Sequence, residues 1–142
     1  MSDAAQPSND DEKRIAPRLG VTTEGREGFV LITVSGHVVE LTALTLEVHL
    51  ARALTGRPPN LVLLTSAVTA MDETAAMLLD AAAQIAVDRG GFLRLVAPSA
   101  AVWTAVETLR SATLSTHRNV ADALQNRGAV LSANSGEHGP LR

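Results

Sequence analysis

Cysteine is absent from this 142-residue sequence, and aromatic residues are nearly absent, with two Phe, one Trp and no Tyr. Without cysteine there is no disulfide bond, no thiolate metal ligand and no cysteine nucleophile, which is typical of a reducing compartment. With so few aromatic side chains, the core has to be built from Leu, Val, Ile and Ala, which dominate the 46% of apolar residues. Such a core is typical of a sheet covered by helices.

An excess of positive charge is also missing. The 12 basic residues against 15 acidic ones give a formal net charge of -3, which provides no electrostatic attraction to nucleic acid or to an anionic membrane. No apolar stretch reaches the roughly 18 residues needed to cross a bilayer. The first residues also lack the apolar core of a signal peptide. We therefore expect a cytoplasmic protein that neither binds nucleic acid nor inserts into a membrane.

Sequence signatures of catalysis are absent. GxSxG, GxGxxG and a phosphate-binding loop ending in Gly-Lys-Ser/Thr do not occur, and the one lysine, Lys13, precedes the expected domain. The histidines lack the spacing of metal ligands and are expected at the surface or at helix caps: His37, His49, His117 and His138. The sequence thus predicts no catalytic residue, no metal and no cofactor, and we expect a protein that is not an enzyme.

The length of the chain predicts one domain. Residues 1–18 are rich in polar residues with mixed charges and are predicted to be a disordered leader. The folded domain is expected at residues 19–128. The polar residues 129–142 are expected to be a flexible tail.

Three strong strand patterns occur along the predicted domain. The β-branched run at residues 29–34 follows a polar turn, and residues 92–97 form a similar run. The continuous apolar run at residues 61–64 predicts a central strand that is buried on both faces of the sheet. Weaker strands are expected around Val21, where the strand pairs with residues 29–34, and around Leu114.

Four helices are predicted between and after these strands. The first is indicated by apolar residues at three- and four-residue steps: Leu41, Leu44, Val48 and Ala51. The second spans residues 73–87, the third lies around Val102 and Val106, and the last spans residues 119–127, before Gly128. Trp103 is expected either at the edge of the core or as an anchor for a partner. The alternation predicts an α/β fold with a mixed central sheet of four to five strands, flanked by about four α-helices.

The most informative segment runs from Leu61 to Leu79, where the buried strand leads through Met71 and Asp72 into the second helix. Together with residues 34–36, 90–96 and 120–124, it resembles a STAS domain. That family includes the anti-sigma factor antagonists of bacteria. The resemblance covers about residues 28–127 and implies a single STAS-like α/β domain that binds an anti-sigma factor.

In the antagonists of this family, an Asp-Ser-Ser/Thr-Gly turn begins a helix, and the anti-sigma factor kinase phosphorylates the serine after the aspartate. The resemblance aligns Asp72 with the aspartate and places Glu73 at the phosphoacceptor position. Thr74 follows, and Ala75 replaces the glycine. The phosphorylation motif is therefore degenerate in this chain.

Two further acidic positions of the family fall on Val39 and Leu64.

The start of a helix still offers unpaired N–H groups and a partial positive charge, so a carboxylate there is stabilised and a partner can recognise it. The resemblance therefore implies a partner-binding turn of four residues, named here the acidic turn: Met71, Asp72, Glu73 and Thr74. Glu73 either mimics a phosphoserine in part or only caps the helix, and Thr74 is an alternative phosphoacceptor.

Two functions are consistent with this resemblance. The first is a protein-binding regulator that resembles an anti-sigma factor antagonist, binds an anti-sigma factor and releases its sigma factor without the usual serine phosphorylation switch. The second is a non-phosphorylated STAS scaffold module of a signalling assembly, or an accessory subunit of a transporter, which the loss of the serine favours. The oligomeric state does not follow from the sequence.

Overall fold

Within residues 18–125, five strands form one mixed sheet, and their order in the sheet is their order in the chain. They are β1 (Leu19–Arg26), β2 (Phe29–Val38), β3 (Asn60–Met71), β4 (Phe92–Val96) and β5 (Ser115–His117). The strands β1 and β2 pair antiparallel, whereas β2 with β3, β3 with β4 and β4 with β5 pair parallel. The computed structural model describes residues 18–125, so the predicted tail, most of the predicted leader and Gly128 lie outside the described residues.

In the described part of the chain, four helices connect or follow the strands: α1 (Glu40–Ala53), α2 (Glu73–Asp88), α3 (Ala100–Leu109) and α4 (Val120–Leu124). The buried residues of α1, α2 and α3 belong to one apolar cluster with the sheet residues Ile32, Leu63 and Leu95. On the opposite face, Ala123 of α4 packs with residues of β3 and β4. The predicted α/β fold with a mixed sheet of four to five strands and about four helices is confirmed.

The central strand is β3, as the continuous apolar run predicts. Leu61, Val62 and Leu63 are completely buried, because α1, α2 and α3 cover one face of the sheet and α4 covers part of the other. At 12 residues, β3 is the longest strand of the sheet. Its carboxyl half therefore extends well beyond β4, whose pairing with β3 ends at Leu64 and Val96.

The helix α1 is present as predicted, but the stripe that indicates it is not its buried face. Its buried residues are Thr42, Leu46 and Leu50. Leu41 and Leu44 are 76% and 70% exposed, and Val48 is also exposed. Because α1 carries apolar side chains on opposite faces, the three- and four-residue spacing alone does not identify the face that meets the sheet.

The strand around Val21 is much longer than the sequence indicates. It runs through eight residues, although most of them are exposed, because each pairs with a residue of β2. Gly36 of β2 pairs with Leu19, the first residue of β1. It has φ +88°, and a Cβ atom there would lie 2.3 Å from the backbone oxygen of Arg18. Only glycine allows this close approach.

The expectation that the histidines lie at the surface or at caps is wrong for His117. This side chain is 1% exposed, and its Nε2 lies 2.9 Å from Oγ of Ser115. It is buried because it pairs with Val96 of β4, whose side chain packs on the face of the sheet that α4 covers. His37 is exposed and accepts a hydrogen bond from the backbone N–H of Arg18 through Nδ1, at 3.0 Å, whereas His138 lies outside the described residues.

Arg94 holds α4 against the sheet. Its Nη1 donates a hydrogen bond of 2.7 Å to the backbone oxygen of Ala123, and its guanidinium carbon lies 3.8 Å from the centre of the Phe92 ring. Burial lowers the pKa of the Arg94 guanidinium, which nevertheless stays protonated, as arginine does throughout the accessible pH range. The short helix α4 is therefore attached to the sheet by this polar contact as well as by the apolar packing of Ala123.

Candidate functional site

The acidic turn lies at the edge of the sheet where the parallel strands end. The last pair in the register of β2 and β3 is Val38 with Met71. The helix α1 begins two residues after Val38, and α2 begins two residues after Met71. The N-termini of both helices are thus neighbours at the carboxyl edge of the sheet, the edge at which open α/β sheets commonly bind ligands.

Asp72 joins the two helices. Its Oδ1 accepts a hydrogen bond of 2.9 Å from the backbone N–H of Ala75, which is the ordinary cap of α2. Its Oδ2 accepts a hydrogen bond of 2.8 Å from the backbone N–H of Glu40, in the first turn of α1. Both helix N-termini therefore direct a partial positive charge at one carboxylate. Asp72 is half-buried, and both of its oxygens are occupied by the protein itself.

The second bond compensates for what α1 lacks. Its N-cap residue is Val39, whose side chain cannot accept a hydrogen bond. The backbone N–H of Val39 donates instead to Oγ1 of Thr42 at 3.0 Å, and the Thr42 hydroxyl donates to the backbone oxygen of His37 at 2.7 Å. The start of α1 is thus fixed by Thr42 from within the helix and by Asp72 from the neighbouring turn.

Glu73 and Thr74 are the exposed members of the acidic turn, whereas Met71 is half-buried. They are the first two residues of α2, and within residues 18–125 neither side chain forms a hydrogen bond or an ion pair. The Glu73 carboxylate is therefore accessible, in contrast to that of Asp72. The structure separates a structural acidic residue from an adjacent accessible one.

An open groove of about 600 Å³ lies beside the acidic turn, between the end of β3 and α3. Met71 and Glu73 line one side of it. The other side consists of residues of α3, which are small apart from the last one: Ala100, Ala101, Thr104, Ala105, Thr108 and Leu109. The groove is apolar apart from Glu73 and two threonines, so it has the composition of a site for apolar side chains.

Thr74 does not line this groove. Successive residues of an α-helix point about 100° apart, so Glu73 faces the side of α3 whereas Thr74 points away from it. Of the four residues predicted as the partner-binding turn, the structure thus brings Met71 and Glu73 together at the groove. Asp72, which is hydrogen-bonded to the starts of α1 and α2, and Thr74 do not line the groove.

The contribution of α3 is missing from the sequence prediction. The signal is the run of small residues on one face of this helix, with Ala101 and Ala105 one turn apart and Thr104 and Thr108 one turn apart. Small side chains in a helix leave space beside it. Trp103, on the same helix, is half-buried, which is consistent with both roles expected for it, an edge of the core and an anchor for a partner.

Within residues 18–125, no group of three or more His, Asp or Glu side chains is arranged to hold a metal ion. In the same part of the chain, no helix combines the length and the apolar character needed to cross a membrane.

Comparison with solved structures identifies similar folds. An anti-sigma factor antagonist from Mycobacterium paratuberculosis matches with a TM-score of 0.68 at 24% identity, over 77% of this chain and 93% of that one. SpoIIAA, an anti-sigma factor antagonist solved in its unphosphorylated form, matches with a TM-score of 0.61 at 12% identity, over 75% of this chain and 97% of that one. SLC26A9 matches with a TM-score of 0.57 at 16% identity, over 80% of this chain but 21% of that one.

At these identities the structural matches show a shared fold. No curated protein matches this chain. The family model that describes the STAS domain matches residues 20–123, which include the whole sheet except Leu19 and all of α4 except Leu124. Since this match spans most of the sequence, the protein belongs to the STAS domain family.

Proposed function

We propose that this STAS domain is a protein-binding regulator of the anti-sigma factor antagonist type. It binds an anti-sigma factor through the acidic turn and the adjacent groove, and thereby releases a sigma factor in the bacterial cytoplasm. The observation that carries this proposal is the exposed Glu73 carboxylate at the start of α2, beside an apolar groove. The role is binding and not catalysis.

The different roles of the Asp72 and Glu73 carboxylates support a preorganised binding surface. Asp72 is held by backbone N–H groups of two helices, so the turn keeps its shape without a partner. Glu73 is left to interact outward. A partner that suits this surface offers an apolar side chain to the groove and a basic side chain to Glu73.

The negative charge of Glu73 does not depend on phosphorylation. Glu73 supplies one negative charge and two acceptor oxygens, whereas a phosphoserine supplies nearly two charges and three oxygens. The usual serine phosphorylation switch has no acceptor at Glu73, so we propose that binding here is constitutive and is regulated by the amounts of the partners. Glu73 acts in this scheme as a contact residue and not merely as a helix-capping charge.

Thr74 is the remaining hydroxyl in the acidic turn that a kinase can modify, since it is exposed in the first turn of α2. Incubation of the protein with the anti-sigma factor and ATP, followed by mass spectrometry, tests this route. Phosphate on Thr74, absent from the Thr74→Val variant, would show a displaced switch. An unmodified Thr74 would support constitutive binding without a phosphorylation switch.

A second function is favoured by the similarity to part of SLC26A9, of which this chain covers 21%. In that function the domain is a STAS scaffold module of a larger assembly or an accessory subunit of a transporter. Purification of the tagged protein from its native cells distinguishes the two functions. An anti-sigma factor is expected as the main partner in the first case, and a multi-subunit complex in the second.

The binding experiment titrates the full chain against each purified anti-sigma factor of the source organism by isothermal titration calorimetry. We expect one of them to bind, and we expect Glu73→Gln and Thr104→Trp to weaken that binding at least tenfold, since the first removes the charge and the second fills the groove. Glu27→Gln, in the turn between β1 and β2, and Gln84→Trp, on the exposed side of α2, are the matched controls.

Binding to none of the anti-sigma factors would refute the proposed function. Equal loss of affinity in the variants and in their matched controls would place the contact elsewhere on the domain. Circular dichroism of each variant checks that the fold is retained.

A further inference from the structure

The exposed stripe of α1 has the spacing of a coiled-coil seam. Leu41, Leu44 and Val48 are exposed, and Ala51 continues the same line. Their steps of three, four and three residues correspond to positions a, d, a and d of two heptads. The opposite face of the helix is already buried through Leu46 and Leu50, so the stripe cannot turn inward to meet the sheet.

The charges beside the stripe define how a second helix can lie on it. Glu40 and Glu47 occupy the g positions on one side, and Thr45 and Arg52 occupy the e positions on the other. Within residues 18–125, neither the Glu47 nor the Arg52 side chain forms an ion pair. Both charged groups are therefore available to a partner helix.

The charge pattern fits a second copy of α1 in parallel orientation. In a parallel pair, a g residue faces the e residue five positions later in the other helix, so Glu47 faces Arg52 of the second copy on both sides of the seam. In an antiparallel pair, g residues face g residues, and because both g positions here are glutamates the contact is repulsive. Charge complementarity thus selects both the occupant and its direction.

We propose that the protein forms a two-fold symmetric dimer through parallel pairing of α1. The two copies of Leu41, Leu44 and Val48 form its apolar centre, and two Glu47–Arg52 pairs flank it. A contact of two heptads is short, so the dimer forms in a concentration-dependent manner. Since α1 begins at the carboxyl edge of the sheet, a parallel pair places the two acidic turns at the same end of the dimer.

Sedimentation velocity of the full chain over a wide range of concentrations tests the pairing. The wild-type protein is expected to shift from monomer to dimer, and Leu44→Glu is expected to stay a monomer throughout. Met77→Glu is the matched control, because Met77 is an exposed apolar residue of α2, outside the stripe. A wild-type monomer at every concentration, or association that survives Leu44→Glu, would overturn the proposal.

Charge reversal tests the direction of the pair. Glu47→Arg and Arg52→Glu are each expected to weaken self-association, because each places like charges opposite one another. The double variant, or an equimolar mixture of the two single variants, is expected to restore the dimer. Weakened association without this restoration would exclude the parallel register.

Because the protein has no cysteine, a single introduced cysteine can test whether two copies of α1 lie side by side. Leu44→Cys introduces one thiol at a d position, and in a parallel pair the two thiols face each other across the seam. We expect rapid disulfide-linked dimers on mild oxidation of Leu44→Cys and not of Met77→Cys. Equal cross-linking of both variants would show random collision and contradict the proposed seam.

Discussion

The Asp72 carboxylate accepts a hydrogen bond of 2.8 Å from the backbone N–H of Glu40, a residue 32 positions earlier in the chain. This bond connects the start of α2 to the start of α1, while the other oxygen of Asp72 caps α2 itself. The residue that the family resemblance aligns with the motif aspartate therefore has a structural role in this chain. Its neighbour Glu73 keeps an accessible carboxylate.

Replacement of Asp72 should destabilise the domain. We expect Asp72→Ala to lower the free energy of unfolding by about 2–3 kcal/mol, because two charged caps are lost. Asp72→Asn should cost about half of that, because an amide has one acceptor oxygen and can cap one helix. Urea denaturation measures both effects. Glu73→Ala, at the next position, should change the free energy by less than about 0.5 kcal/mol, and an equal loss in Glu73→Ala would contradict this assignment.

Gly36→Ala should weaken the pairing of β1 with β2 at the first residues of β1. The new Cβ would lie 2.3 Å from the Arg18 oxygen, and the positive φ adds strain, so we expect a loss of about 2–4 kcal/mol. Gly28→Ala has the same positive φ but open space and should lose about 1 kcal/mol. Gly25→Ala, with nothing within 4 Å, should be neutral. Thermal unfolding of the three variants should follow this order, and a neutral Gly36→Ala would show that the close approach is absent in solution.

Arg94→Met should release α4 from the sheet. The variant keeps most of the apolar stem but loses the hydrogen bond to Ala123 and the contact with the Phe92 ring, for which we expect a loss of about 1–3 kcal/mol. Hydrogen exchange of the α4 amides should become faster than in the wild type. Arg26→Met is the control, since its ion pair with Glu24 is exposed and contributes little. Unchanged exchange in α4 would show that packing alone holds this helix.

Ser111→Ala should free the segment between α3 and β5. The Ser111 hydroxyl donates to Oδ1 of Asp80 in α2 and accepts from the backbone N–H groups of Thr113 and Leu114. Loss of these bonds at a half-buried site should cost about 1–3 kcal/mol, measured by urea denaturation. Ser66→Ala, at an exposed position of β3, should be neutral. A neutral Ser111→Ala would indicate that water replaces the hydroxyl.

The sequence predicts best those elements whose patterns are local. The apolar run at residues 61–64 and the helix formers after Asp72 identify β3 and α2, because burial on both faces and helix propensity are read directly from the residues. The buried face of α1 could not be predicted, because apolar residues occupy both of its sides. The exposed, polar β1 depends on its pairing with β2 and carries little signal of its own.

The same distinction applies to the candidate site. Asp72 as the cap of α2 follows from its position before a helix, and the structure shows that bond. Its bond to Glu40 and the groove against α3 join segments that are distant in the chain. Such contacts depend on how the helices pack on the sheet, which no short motif encodes.

The succession of strands across the sheet also bears on how the polypeptide acquires its shape. Within residues 18–125, neighbouring strands of the sheet are consecutive in the chain, so none of these pairings has to wait for a distant segment to be synthesised. The sheet can therefore extend one strand at a time as the growing chain leaves the ribosome, and each new edge meets its neighbour within a single crossover.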